Sequence, residues 1–132
     1  MIAAGLGCKR GCSSGDVLLA LEAALASAGR ALSEVQALYA PEFKAEEPAL
    51  SAAAQHLGKP LRLLPMADLQ LQAAHALTHS EQVSARFGVP SIAETAALAG
   101  ACTRERSRAS LLGPRQIAGG ASCALAVIWG CP

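Results

Sequence analysis

The chain has 132 residues, enough for one domain with one substantial core. Apolar residues make up 52% and aromatics 3%, so that core must be aliphatic and rich in alanine. A formal net charge of +1 lacks the basic excess that nucleic-acid binding uses, and so few aromatics argue against base stacking.

No stretch approaches the roughly 18 uninterrupted apolar residues of a membrane span. The first residues carry neither a basic n-region nor a full apolar h-region, so we expect no signal peptide, no membrane partner and a cytoplasmic protein. The five cysteines are Cys8, Cys12, Cys102, Cys123 and Cys131. An odd count without a secretory signal predicts reduced thiols. Cys8 and Cys12 are four apart rather than in a C-x-x-C pair, and we read them as small apolar fillers. No metal site and no cofactor are expected.

In chain order, Ile2 to Ser14 reads as a short apolar strand, a glycine-rich turn from Gly5 that includes Gly5-Leu6-Gly7-Cys8-Lys9-Arg10-Gly11, and a helix start. Glycines admit positive φ and close approach of a ligand. Ser13 or Ser14 caps a helix, and Asp16 lies in its first turn. The N–H groups of the turn and helix start, with Lys9 and Arg10, suit a carboxylate or phosphate. The pattern is G-x-G-x-x-x-G, one residue longer than the dinucleotide fingerprint, and no phosphate-binding G-x-x-x-x-G-K-[ST] loop is present.

Helical spacing runs from Val17 to Ala28, with Gly29 as a left-handed stop. Val35 to Tyr39 is a second strand, ended by Pro41. The turn Pro41–Glu47 leads to Pro48 at the first position of a helix that reaches Leu57 and stops at Gly58. Leu61 to Leu64 is a third strand, and Met66 to Leu71 a short helix. From Gln72 to Gly88 there is no strong period, although Ser80 is placed to cap a short helix. His75 and His79 are four apart, without convincing ligand spacing. Ser91-Ile92-Ala93-Glu94 is a capping box, predicting a helix from Ser91 to about Ala99 with Gly100 as its stop. Thr103 to Arg108 is a charged surface link. Two strands, about Ser110–Ile117 and Ser122–Trp129, close the chain around a Gly119-Gly120 hairpin turn.

This order predicts a single α/β domain over residues 1–132. We expect a mixed, mostly parallel sheet of about five strands, its first three parallel and joined by right-handed crossovers, with helices on both faces and a C-terminal β-hairpin. Ligands of such sheets sit beyond the carboxyl ends of the strands. The Gly5–Ser14 and Phe43–Glu47 turns both leave that end, so Lys9, Arg10, Lys44 and Glu47 are expected to face one crevice.

Four stretches together resemble one family. Gly5-Leu6-Gly7-Cys8-Lys9-Arg10-Gly11 is similar to its opening G-[IL]-G-C-[RK]-[RK]-G. Phe43-Lys44-Ala45-Glu46-Glu47-Pro48-Ala49-Leu50 is similar to its K-A-[DE]-E-x-G-L turn. Ser80-Glu81-Gln82-Val83 matches an S-x-x-V element. Gly88-Val89-Pro90-Ser91-Ile92-Ala93-Glu94 resembles its G-V-x-S-V-A-E helix start. The family is that of the cobalamin biosynthesis proteins CobE and CbiG, through the CbiG C-terminal domain.

What the resemblance implies is corrin-ring assembly. A carrier or accessory factor of the aerobic pathway would bind a precorrin or corrin intermediate, such as hydrogenobyrinic acid, and possible partners include other cobalamin-pathway enzymes. The alternative is an enzyme acting on a precorrin-5-stage intermediate, opening a lactone with release of acetaldehyde, as CbiG does. Carried onto this sequence, the ligand-binding set is Gly7, Cys8, Lys9, Arg10, Gly11, Lys44, Ser80 and Arg115, and the catalytic pair is Lys44 and Glu47. Arg115 stands where the last hairpin of the family usually carries lysine, keeping the charge without a reactive amine. A macrocycle with many carboxylates around an apolar ring suits such a ring of cations.

Overall fold

Strand β1 (Ile2–Cys8) is apolar on both faces and is buried along nearly its whole length, which places it inside the sheet. The computed structural model describes residues 2–102 and 108–129. β1 pairs parallel with β2 (Val35–Pro41), and β2 pairs parallel with β3 (Leu61–Leu64). On its other side β1 pairs antiparallel with β6 (Ala121–Trp129), which also pairs antiparallel with β4 (Arg108–Leu111) and β5 (Gln116–Ala118). The order is β3-β2-β1-β6-β4, with β5 also on β6.

The α/β class, the parallel arrangement of the first three strands and the closing hairpin hold. Two expectations do not. The sheet has six strands rather than about five, and its two parallel pairings are outnumbered by three antiparallel ones, so it is not mostly parallel. The reason is local. The strand expected over Ser110–Ile117 is cut in two around Gly113-Pro114, where proline removes a ladder donor. The last strand lies beside β1, and all its partners run against it.

Helices cover both faces. Ile2, Ala4, Leu6, Leu38 and Leu125 pack with α1 (Ser14–Ala28) and α2 (Pro48–Leu57). Leu38 and Leu50 are fully buried, each contributing about 1.5–3 kcal/mol of transfer free energy. Ala3, Ala37, Tyr39, Ala124 and Ala126 form the opposite core with α5 (Ile92–Ala101) and α3 (Met66–Gln70). That face is built of small residues, so α5 rides close to the strands. A Cβ on Gly5 would land on the Ala93 carbonyl and the Ala97 amide, and one on Gly100 would land on the Tyr39 ring. Gly100 therefore does not stop the helix, as its sequence position suggested. It lies inside α5 because the ring needs the space.

Other boundaries follow the sequence closely. Gly29 and Gly58 take the left-handed conformation that ends α1 and α2, and Ser13 caps α1 by accepting from the Asp16 N–H at 3.0 Å. Ser80 caps α4 (Glu81–Phe87), accepting from the Val83 N–H at 3.3 Å. The expected link over residues 103–107 and Cys131 lie outside the described residues, while Arg108 is already the first residue of β4. Among the described residues no helix is long and apolar enough to cross a membrane.

Candidate functional site at the carboxyl end of the sheet

Because β1 and β2 are parallel, the chain leaves both at the same end of the sheet. The segment after β1 turns through Lys9, Arg10 and Gly11, whose φ of 77° is where a glycine is needed. The segment after β2 is a 3-10 turn, Glu42–Lys44, followed by Glu47 as the N-cap of α2. The two loops meet where the Gly11 N–H donates to Glu47 Oε1 at 3.2 Å. The hairpin between β5 and β6 reaches the same place. The Lys9 N–H donates to the Gly120 carbonyl at 2.7 Å, and the Gly120 N–H donates to Asp16 Oδ2 at 3.2 Å.

These contacts alter the reading of the glycine motif. Gly5 and Gly7 belong to β1 and serve close packing, Gly5 against α5 and Gly7 beside the Ser122 hydroxyl. The backbone donors of Lys9, Gly11, Cys12 and Asp16 are already engaged by Gly120, Glu47, Lys9 and Ser13. The positive character of the loop therefore rests on the exposed side chains of Lys9 and Arg10 more than on an amide nest.

Cys8 and Cys12 correct a second expectation. They are not separate reduced thiols acting as apolar fillers. They are joined as a disulfide across the turn, with Cα atoms 6.3 Å apart. Four-residue spacing in a helix would put the two sulfurs one turn apart. Here the chain folds back between them, as the Cys12 N–H donating to the Lys9 carbonyl at 3.0 Å records. Cys123 is fully buried and its thiol is pushed up by desolvation, as the half-buried Cys102 thiol is to a smaller degree.

Lys44 and Glu47 sit on one loop but do not pair. Among the described residues the ion pair is Arg30–Glu34, at 3.0 Å. The Ala31 N–H and then the Arg30 guanidinium hold the Glu34 carboxyl below its ordinary value. Lys44 Nζ lies 5.8 Å from the centre of the Phe43 ring. Phe43 in turn stacks on Phe87, with centroids 4.8 Å apart and planes 8° from parallel, and the Arg86 guanidinium lies 5.3 Å from the Phe87 centroid. This unit of two rings and two cations joins the loop after β2 to the end of α4. Sequence reading missed Phe87 and Arg86. A signal existed: the chain has two phenylalanines, and both fall in polar stretches without core periodicity.

Arg115 and the segment just before Ser80 share an anchor, while the Ser80 N–H donates to the Pro90 carbonyl at 2.9 Å. Glu94, expected only as half of a capping box, is completely buried in α5. Its N–H does meet the Ser91 hydroxyl at 3.4 Å, but its carboxylate turns away from the cap. Oε1 accepts from the Leu77 and Thr78 N–H groups, both at 2.8 Å. Oε2 accepts from the Thr78 hydroxyl at 2.7 Å and the Arg115 N–H at 2.8 Å. Four donors satisfy the two carboxyl oxygens and tie Leu77, Thr78 and the Arg115 loop to one helix. His75 and His79 are both exposed and do not share a helix face, since His75 ends a 3-10 turn and His79 lies beyond it.

Residues 2–126 match the family described as Cobalamin synthesis G C-terminus. The chain belongs to this family. The CobE/CbiG C-terminal group to which it belongs consists of cobalamin biosynthesis proteins. The chain is 40% identical over 97 residues to Protein CobE from Sinorhizobium sp, a match covering 74% of the chain and 63% of that relative's length. It superposes on the crystal structure of CobE, a protein from the cobalamin biosynthetic pathway, with a TM-score of 0.89 and 36% identity, covering 98% of this chain and 93% of that one. A cobalamin biosynthesis protein, chiG, from Agrobacterium tumefaciens str. C58 matches with a TM-score of 0.72 and 33% identity, over 96% of this chain and 98% of that one. The CobE-like likeness therefore extends through the hairpin and the loops of the rim, beyond the central strands.

Proposed function

We propose that this CobE homologue binds a precorrin or corrin intermediate at the carboxyl end of its sheet and acts as a carrier or accessory factor of the aerobic pathway. The observation that carries the reading is the junction of the Lys9–Cys12 turn with the Phe43–Glu47 loop through Gly11 and Glu47. It gathers Lys9, Arg10 and Lys44 on adjoining loops. A corrinoid intermediate is a flat apolar ring edged with carboxylates. The cations supply charge-assisted hydrogen bonds, each worth about 1.5–3 kcal/mol net where water is excluded. The half-exposed Phe43 ring, stacked on Phe87 and bracketed by Lys44 and Arg86, supplies an apolar plane with positive charge beside it.

Ser80 and Arg115 enter as further contacts, since Pro90 holds the backbone of the one and Glu94 that of the other. Ser80 already caps α4, so its hydroxyl has a structural partner as well.

The test is titration with hydrogenobyrinic acid, followed by absorbance and by gel filtration. A spectral change and pigment eluting with the protein are expected. An unchanged spectrum with no retained pigment would refute the reading. Consumption of a precorrin-5-stage substrate with release of acetaldehyde would instead identify an enzyme, with Lys44 and Glu47 the first residues to replace.

A further inference from the structure

Cys8 closes β1, Cys12 follows in the turn, and Glu47 arrives from the loop after β2. One ligand atom from each of the three lies within 4.8 Å of the others. Each residue is partly buried, and Glu47 Oε1 is held in place by the Gly11 N–H. We propose that, once the disulfide is reduced, Cys8, Cys12 and Glu47 form a site for a zinc-class divalent cation. The site stands independently of macrocycle binding.

The geometry fits the chemistry. Two thiolates on a tetrahedral zinc ion, each at about 2.3 Å, stand roughly 3.8 Å apart. Opening the disulfide therefore requires the sulfurs to part by less than about 2 Å. Side-chain rotation supplies that movement between Cα atoms 6.3 Å apart. Glu47 provides a third donor, and its hydrogen bond to Gly11 is the outer-shell support that ligating carboxylates use. Three protein ligands leave the fourth position to water or to an added carboxylate. Lys9 and Arg10, between the two cysteines, offset the excess negative charge of two thiolates and a carboxylate around one dication.

The redox step balances with a small-molecule dithiol as reductant. The dithiol passes two electrons and two protons to the Cys8–Cys12 bond and becomes a cyclic disulfide itself. Both cysteine protons leave for solvent as the cation binds, so affinity rises with pH.

The experiment uses the full chain in two states, oxidised and reduced, the latter freed of reductant under anaerobic conditions. Zinc is titrated against a chromophoric chelator, and stoichiometry is read by native mass spectrometry. The reduced chain is expected to take one zinc ion that the oxidised chain does not. Cys12→Ser should lower affinity at least about a hundredfold and Glu47→Gln roughly tenfold, while Cys102→Ser leaves it unchanged. Glu47→Gln preserves shape, so it decides the matter even if Cys12→Ser fails to fold. A reduced chain that takes no zinc would overturn the site. So would equal affinity in Cys12→Ser, or unchanged affinity in Glu47→Gln.

Discussion

The Glu47 carboxylate accepts the Gly11 N–H at 3.2 Å and in doing so joins two loops that are 36 residues apart in the chain. Neither residue needs the other for its own loop. Glu47 is the N-cap of α2, and Gly11 turns the chain at positive φ. Their contact is what makes one rim of two loops. Glu47→Ala should lower stability by no more than about 1 kcal/mol, since the bond is solvent-accessible. Its effect on pigment affinity should be larger than that small loss suggests. Urea unfolding and pigment titration on the same variant separate the two.

Charge on the rim should be readable from salt and from single substitutions. Lys9→Ala, Arg10→Ala and Lys44→Ala are each expected to weaken hydrogenobyrinic acid binding about tenfold, as loss of one charge-assisted hydrogen bond predicts. Affinity of the unaltered chain should fall as ionic strength rises, because exposed charges are screened. Fluorescence or absorbance titration at two salt concentrations checks both statements.

Glu94 should be among the most costly residues to replace. Glu94→Ala leaves the Leu77, Thr78 and Arg115 N–H groups without their acceptor in a partly buried site and empties the space of a fully buried side chain. A loss of about 3–5 kcal/mol is expected by urea denaturation. Glu94→Gln keeps the shape but turns an amide NH2 toward backbone donors, so it too should destabilise.

Gly5→Ala and Gly100→Ala test the close approach of α5. Each added methyl meets atoms with no room to give: backbone of α5 in one case, the Tyr39 ring in the other. Each should cost about 3 kcal/mol or more, at the upper end of overpacking, and lower the thermal midpoint. Gly113→Ala, where a Cβ would meet nothing, is the control and should change little.

Cys123 should resist alkylation in the folded chain. Burial pushes its thiol well above the ordinary range, so the neutral form persists from neutral pH to about pH 9. Peptide mass spectrometry after iodoacetamide treatment should find Cys102 modified before Cys123, and Cys123 only once the chain is unfolded.

Local signals in the sequence carried the element boundaries. Gly29 and Gly58 stop helices because the left-handed residue must lack a Cβ, and Ser13 and Ser80 cap because their hydroxyls reach the next orphan amides. That the first three strands run parallel was also legible, since connections of that length force crossovers. The family motifs were legible in the same way, as contiguous residues. Tertiary structure alone decided the rest, because it depends on atoms remote in the chain. Gly5 and Gly100 are glycines on account of a helix and a ring elsewhere. Glu94 leaves its cap for donors 16 to 21 residues away, and Cys8 finds Cys12 only because the turn between them closes back. Periodicity and spacing report what a residue's neighbours in sequence require; a packed interior assigns each side chain by what approaches it in space.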